Sequence, residues 1–135
     1  MKNKIKYLLF LFILGILVTG CGDKPAPPND TYNLGGDVWW GTNKVANTLV
    51  EMTRWMSNDT TIPDGAHIKI DTSVTASSSS YLGSYDFWYF CYENDNGYGL
   101  DMQYKVRAKD STNAWSSFQV GSIKPNGNVT VDFHL

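Results

Sequence analysis

The stretch Leu100-Asp101-Met102-Gln103-Tyr104-Lys105-Val106-Arg107-Ala108-Lys109 alternates without a break. Leu100, Met102, Tyr104, Val106 and Ala108 share one side; Asp101, Gln103, Lys105, Arg107 and Lys109 share the other. Side chains of a strand point alternately to its two faces, so this is a strand with one dry face and one wet face. Two further stretches keep the same period. Ile68, Ile70, Thr72, Val74 and Ala76 alternate with Lys69, Asp71, Ser73 and Thr75, and Val129, Val131, Phe133 and Leu135 with Asn128, Thr130, Asp132 and His134. Residues 84–92 are apolar on both sides: Tyr85, Phe87, Tyr89 and Cys91 on one, Trp88, Phe90 and Tyr92 on the other. That pattern predicts a central strand covered on both faces. A shorter strand covers about 115–122. Pro63-Asp64-Gly65, Asn94-Asp95-Asn96-Gly97 and Pro125-Asn126-Gly127 supply the residues that tight turns require, and read as hairpin connections. Five strands joined by short turns predict antiparallel pairing, because parallel neighbours need a long crossover.

Residues 43–57 break the alternation. Val45, Leu49, Met52 and Met56 recur at helical spacing, with Lys44, Asn47, Glu51, Arg54 and Asn58 opposite. Thr42 or Asn43 can cap the start, and Ser57-Asn58-Asp59 ends the run. The fold expected is therefore mainly β: an antiparallel β-sandwich carrying one N-terminal amphipathic helix over 43–57. An α+β domain, with that helix packed on a five-stranded antiparallel sheet, explains the same pattern.

The first twenty residues have a different character. Lys2, Lys4 and Lys6 precede an apolar run, Tyr7–Val18, that ends in small residues. Twelve residues at about 1.5 Å each fall short of a hydrocarbon core about 30 Å thick. A basic flank, a short apolar run and small residues together read as a secretory signal peptide, residues 1–20. The junction Leu17-Val18-Thr19-Gly20-Cys21 resembles the lipobox of bacterial lipoproteins. The resemblance implies cleavage by signal peptidase II before Cys21 and attachment of a diacylglyceryl group to its sulfur. Two or three acyl chains hold a protein stably on a membrane, where one does not. Gly22, not Asp, follows Cys21, which leans the expected location toward the outer membrane or cell surface of a bacterial envelope rather than the inner membrane. Residues 22–36 are rich in Pro and Gly and read as a linker from the lipidated Cys21, leaving 37–135 as a single β-rich domain.

Two segments carry a second resemblance. Tyr104-Lys105-Val106-Arg107-Ala108-Lys109-Asp110 with Trp115-Ser116 resembles a late strand of fibronectin type III modules. Ile123–Val131 is similar to the last hairpin of bacterial Ig-like adhesion domains. Both imply an Ig-like or FnIII-like sandwich.

All 13 acidic residues follow position 20 while three of the 11 basic ones precede it, so the remainder carries a net charge of −5. That disfavours a nucleic-acid binder, which needs a basic footprint against phosphate. With Cys21 a thioether, Cys91 has no disulfide partner and reads as a small buried hydrophobe among aromatics. Nothing positions His67 or His134 beside a nucleophile: Ser77–Ser80 sit in no strained elbow and no Gly-rich oxyanion loop. Glu93, Asp95, Asn96 and Asp101 do not fit an EF-hand register. There is no zinc spacing, phosphate loop or dinucleotide fingerprint, so neither catalysis, metal nor cofactor is expected.

The aromatic content is high. Five Trp, seven Tyr and four Phe follow Cys21, more than a small domain buries easily. Flat exposed aromatics near Asn, Asp and Gln suit sugar rings or a protein partner. Trp39, Trp40, Trp55 and Trp115 are the candidate binding residues. The expected function is a non-catalytic, membrane-anchored envelope lipoprotein whose β-rich domain serves protein–protein interaction or surface assembly. The alternative is a carbohydrate-binding surface lipoprotein that uses those aromatics.

The anchor has a direct test. The wild type should incorporate labelled fatty acid and Cys21→Ala should not; label retained in the variant, or absent from the wild type, would refute lipidation.

Overall fold

The computed structural model describes residues 29–61 and 68–135. Residues 1–20, expected to be a signal peptide, Cys21, His67 and the expected turn at Pro63-Asp64-Gly65 lie outside them. Among the described residues no helix is long and apolar enough to cross a membrane. The strands in chain order are β1 (Asn29–Trp40), β2 (Asn43–Lys44), β3 (Leu49–Met56), β4 (Lys69–Val74), β5 (Ser84–Tyr92), β6 (Met102–Ala108), β7 (Gln119–Ile123), β8 (Gly127–Thr130) and β9 (Phe133–His134). They form two sheets with a shared core, a sandwich.

The first sheet is organised by β1. Along one side β1 pairs antiparallel with β5, from Asn29↔Tyr92 to Asp37↔Ser84, and then with β2. Along the other it pairs in parallel with β8, from Tyr32↔Gly127 to Gly35↔Thr130, and with β9 at Val38↔Phe133. The second sheet has the order β4-β3-β6-β7, antiparallel throughout. Alternation turns Tyr32, Leu34, Tyr85, Phe87 and Cys91 of the first sheet against Val50, Met52, Met102, Tyr104 and Val106 of the second. Two buried hydroxyls are satisfied by backbone: Tyr85 Oη donates to Val131 O at 2.6 Å and Tyr32 Oη to Leu100 O at 2.7 Å. Arg54 closes one margin of the sandwich, its guanidinium 3.9 Å from the Tyr89 ring centroid and its Nε 2.7 Å from Asp71 Oδ2.

Several expectations are corrected. Residues 43–57 contain no helix: Asn43–Lys44 is β2 and Leu49–Met56 is β3. As a central strand, β3 buries Val50 and Met52 on its core side and Trp55 on the other. Burial on both sides places apolar residues at odd and even positions, which hides the period of two behind a helical spacing. The linker ends earlier than position 36, because β1 starts at Asn29 and takes in Gly35-Gly36. Residues 22–28 remain between Cys21 and the fold, about 20–25 Å when fully extended. Pairing is not wholly antiparallel, since β1 lies parallel to β8 and β9. The turns at 94–97 and 125–127 are not hairpins either: they carry the chain from β5 to β6 and from β7 to β8, each time between sheets. Leaving out the two-residue strands, the first, fourth and seventh strands form one sheet and the other four the second. An immunoglobulin constant domain instead unites its first, second, fourth and fifth strands.

Gly36 is the tightest point. A Cβ there would lie 2.0 Å from Val131 O, where the chain passes from β8 to β9 while Val131 N donates to Gly35 O at 2.8 Å. Next to it, Asp37 ties three strands together: its carboxylate takes hydrogen bonds from Lys44 Nζ of β2 at 2.5 Å and Ser84 Oγ of β5 at 2.8 Å. Burial works against its charged form, but these two hydrogen bonds outweigh burial and hold the carboxyl below the usual range.

Gly36→Ala is expected to cost about 1–3 kcal/mol or more, because the obstacle is backbone rather than a movable side chain. An unchanged urea midpoint would show that β9 yields freely. For Asp37, the folded state lowers the pKa, so its contribution is present above the ordinary carboxylate range and lost as pH falls through the folded value. Asp37→Asn should therefore lower the melting temperature at neutral pH and converge with the wild type in acid; an equal deficit at both pH values would exclude this ionisation.

Candidate functional site

Strand β5 stands at an edge of the first sheet, with β1 as its neighbour. Its core row is Tyr85, Phe87, Tyr89 and Cys91; its outward row is Asp86, Trp88, Phe90 and Tyr92. Trp88 is 60% exposed, Phe90 47% and Tyr92 49%. Side chains this large at the surface of a small domain, three in one row, form a patch rather than scattered exposure. The planes of Trp88 and Phe90 lie 16° apart with ring centroids separated by 6.4 Å.

The polar surroundings come from the register. Trp88 is paired with Asn33 of β1, Phe90 with Thr31 and Asp86 with Gly35. Beyond β1, Asn33 pairs with Asn128 and Gly35 with Thr130 of β8. The outward face therefore runs from an aromatic row on β5 to rows of Asn and Thr on β1 and β8. The Asp86 carboxylate accepts hydrogen bonds from the Trp88 indole Nε1 and from Asn33 Nδ2, one at each oxygen. It thereby fixes the ring and the amide relative to each other. Thr31 is held in turn: its N and Oγ1 donate to Asn126 Oδ1 at 3.1 and 3.3 Å, with Asn126 at a φ of 60°. The result is a pair of near-parallel, exposed rings bordered by amide, carboxylate and hydroxyl groups. A pyranose ring, with an apolar C–H face and hydroxyls round its rim, matches that arrangement.

The four tryptophans singled out by the sequence lie elsewhere. Trp39 is on the outward side of β1, with His134 stacked on it at 5.7 Å and Lys44 Nζ 5.2 Å from its ring centroid, so both ring faces are occupied. Trp40 packs against the core, its Nε1 donating to Lys109 O at 3.3 Å. It also walls an open cavity of about 200 Å³ at the end of the sandwich remote from Asn29, with Asn47, Thr48, Lys109, Asp110 and Asn113 around it. Trp55 is 6% exposed, and its Nε1 has no hydrogen-bond partner among the described residues. Trp115 has Arg107 Cζ 4.5 Å and Lys109 Nζ 5.2 Å from its ring centroid. None of the four meets the Trp88–Phe90 pair in these contacts.

Reading the sequence placed Trp88 and Phe90 inside, because their strand is aromatic on both sides. Asp86 was the available sign: it shares their row, and a charged residue at the head of a row argues for water on that face. The remaining chemistry is sparse. Cys91 is fully buried, and burial pushes its thiol pKa up, as suits a small hydrophobe. His134 is engaged with Trp39, and Ser77–Ser80 are exposed in a loop. Asp95 accepts from Tyr92 N, and Asp101 pairs with Lys124 at 3.1 Å. Among the described residues no three His, Cys, Asp or Glu side chains gather as a metal site would require.

Comparison with known proteins adds little. No family model matches the chain, and no curated protein matches it. Among solved structures the chain is similar to the dioxygenase domain of a dioxygenase carbohydrate-binding protein fusion from the cellulolytic bacterium Streptomyces sp. SirexAA-E. The identity is 12%, the coverage 83% of each chain and the TM-score 0.47.

Proposed function

We propose that this protein is a non-catalytic lipoprotein of the bacterial envelope, anchored through Cys21, whose sandwich binds glycan on the outward face of β5. The observation that carries the glycan reading is the pair of near-parallel, exposed rings of Trp88 and Phe90 beside the Asp86–Asn33 hydrogen bonds. The lipobox-like junction at Leu17–Cys21 supports the anchor. The membrane, through lipid on Cys21, and a glycan are the partners proposed.

A protein partner on the same edge is the second reading. One observation favours it: β5 has a hydrogen-bonded neighbour on one side only among the described residues, and an open edge accepts a strand from another chain. The parallel rings favour sugar, since added strands read side-chain pockets rather than planes.

Tryptophan fluorescence titrated with neutral β-linked oligosaccharides and peptidoglycan fragments tests the proposal. Trp88→Ala and Phe90→Ala should each weaken binding by about tenfold or more, as for a central aromatic anchor. Their stability should stay within about 0.5 kcal/mol of the wild type, since both rings face water. No response to any glycan, or undiminished binding by both variants, would sink the glycan reading.

A further inference from the structure

The outward face of the second sheet has the opposite chemistry. Strand β6 sends out Lys105, Arg107 and Lys109, on the side away from Val106 and Ala108. The aromatic rings of Trp115 and Phe118 interleave with them. Lys109 Nζ lies 5.2 Å from the Trp115 centroid and Arg107 Cζ 4.5 Å; Arg107 Cζ lies 4.6 Å from the Phe118 centroid and Lys105 Nζ 4.9 Å. Each ring thus has two cations within 5.2 Å of its centroid, and cations and rings share this surface, Phe118 being 39% exposed. Glu51 answers Arg107 at 2.7 Å. Asp110, at the end of the ladder, spends its carboxylate on Thr112 and Ala114 of its own turn. Lys105 and Lys109 make no ion pair among the described residues.

Exposed branched aliphatics flank these cations. Register places Ile70 beside Thr53 and Val74 beside Leu49 at one edge, and Val120 beside Lys105 at the other. They are 65%, 56% and 74% exposed. On the first sheet's outward side the charged groups are mainly acidic: Asp37, Asp86 and Asp132, with Lys44 paired to Asp37. A chain whose charge after position 20 is −5 therefore places two cations without an ion pair among the described residues, Lys105 and Lys109, and three exposed aliphatics on one face.

We propose that this face lies on the anionic headgroup surface of the bilayer that holds the chain, with Lys105, Arg107 and Lys109 over lipid phosphates and Ile70, Val74 and Val120 at the headgroup–acyl boundary. Cations flanked by aliphatic tips complement such a surface on both counts, and the acidic remainder of the domain is repelled from it. The inference rests on the Cys21 anchor proposed above, and the short stretch 22–28 keeps the domain within reach of the lipid. Trp88 and Phe90, on the outward side of the opposite sheet, are then turned away from the bilayer toward glycan.

The test uses the lipidated chain reconstituted in vesicles. Val120→Cys, and separately Asn128→Cys on the opposite outward face, are labelled with a polarity-sensitive fluorophore; Cys91 is buried and does not compete. In vesicles containing phosphatidylglycerol, the label at 120 should shift to the blue and be quenched by nitroxide-bearing lipid. The label at 128 should not. Phosphatidylcholine vesicles, high salt or the double change Lys105→Glu/Lys109→Glu should remove the effect, with flotation unchanged. A chain that floats with vesicles yet shows equal emission at 120 in both lipids overturns the orientation and leaves the anchor standing. A chain that fails to float overturns both. A blue shift at 120 without vesicles would mean that this face pairs with another copy, and would overturn it as well.

Discussion

The fold depends on β1 having a partner on each side. Its hydrogen bonds to β5 run antiparallel and those to β8 and β9 run parallel, so the first twelve residues of the fold join its middle to its end. Gly36 sets the geometry of that junction. Without a Cβ, β1 can pass under Val131 O where the last strands change course, and Asp132 Oδ1 accepts from Asp37 N at 2.9 Å just beyond. Because β8 and β9 close on β1 from about 95 residues away in sequence, much of the loop-closure cost falls on this one strand.

Closing the sandwich in this way leaves two outward faces on opposite sides of one core. Neither sheet has spare depth: the inner rows of both are consumed by the shared core. Both proposed contact surfaces are outward rows. The first sheet offers near-parallel rings, Trp88 held by Asp86, and the second offers cations packed beside rings. The same residue type thus has two roles. An aromatic beside Asn and Asp presents its ring; one beside Lys and Arg is engaged by cations.

Much of this was legible. The period of two in Met102–Ala108 and Lys69–Val74 identified strands, and the mainly β sandwich follows from them. Three elements were not. Strand β1 lay hidden in Asn29–Gly36, whose Asn and Gly lack strand propensity and are held by pairing on two sides. Strand β3 mimicked a helix because Trp55 is buried on the side opposite Val50 and Met52. Strand β5 looked central because its outer aromatics read as core.

Which face of Lys69–Val74 meets water was not legible, since Ile70 and Val74 point outward although the alternation predicts them inside. The sequence by itself determined the period of two, the lipobox-like junction, the acidic charge after residue 20 and the lack of catalytic motifs. Each is a local property of residue type and spacing. Only the tertiary structure decided which strands are neighbours, and therefore which aromatics are displayed. Trp88 is exposed and Trp55 buried although both sit in strands with apolar residues on each side. The difference is that β3 has neighbours at both edges, while β5 stands at the rim of its sheet. Burial is a property of the neighbours a residue acquires on folding, and no window of sequence contains them.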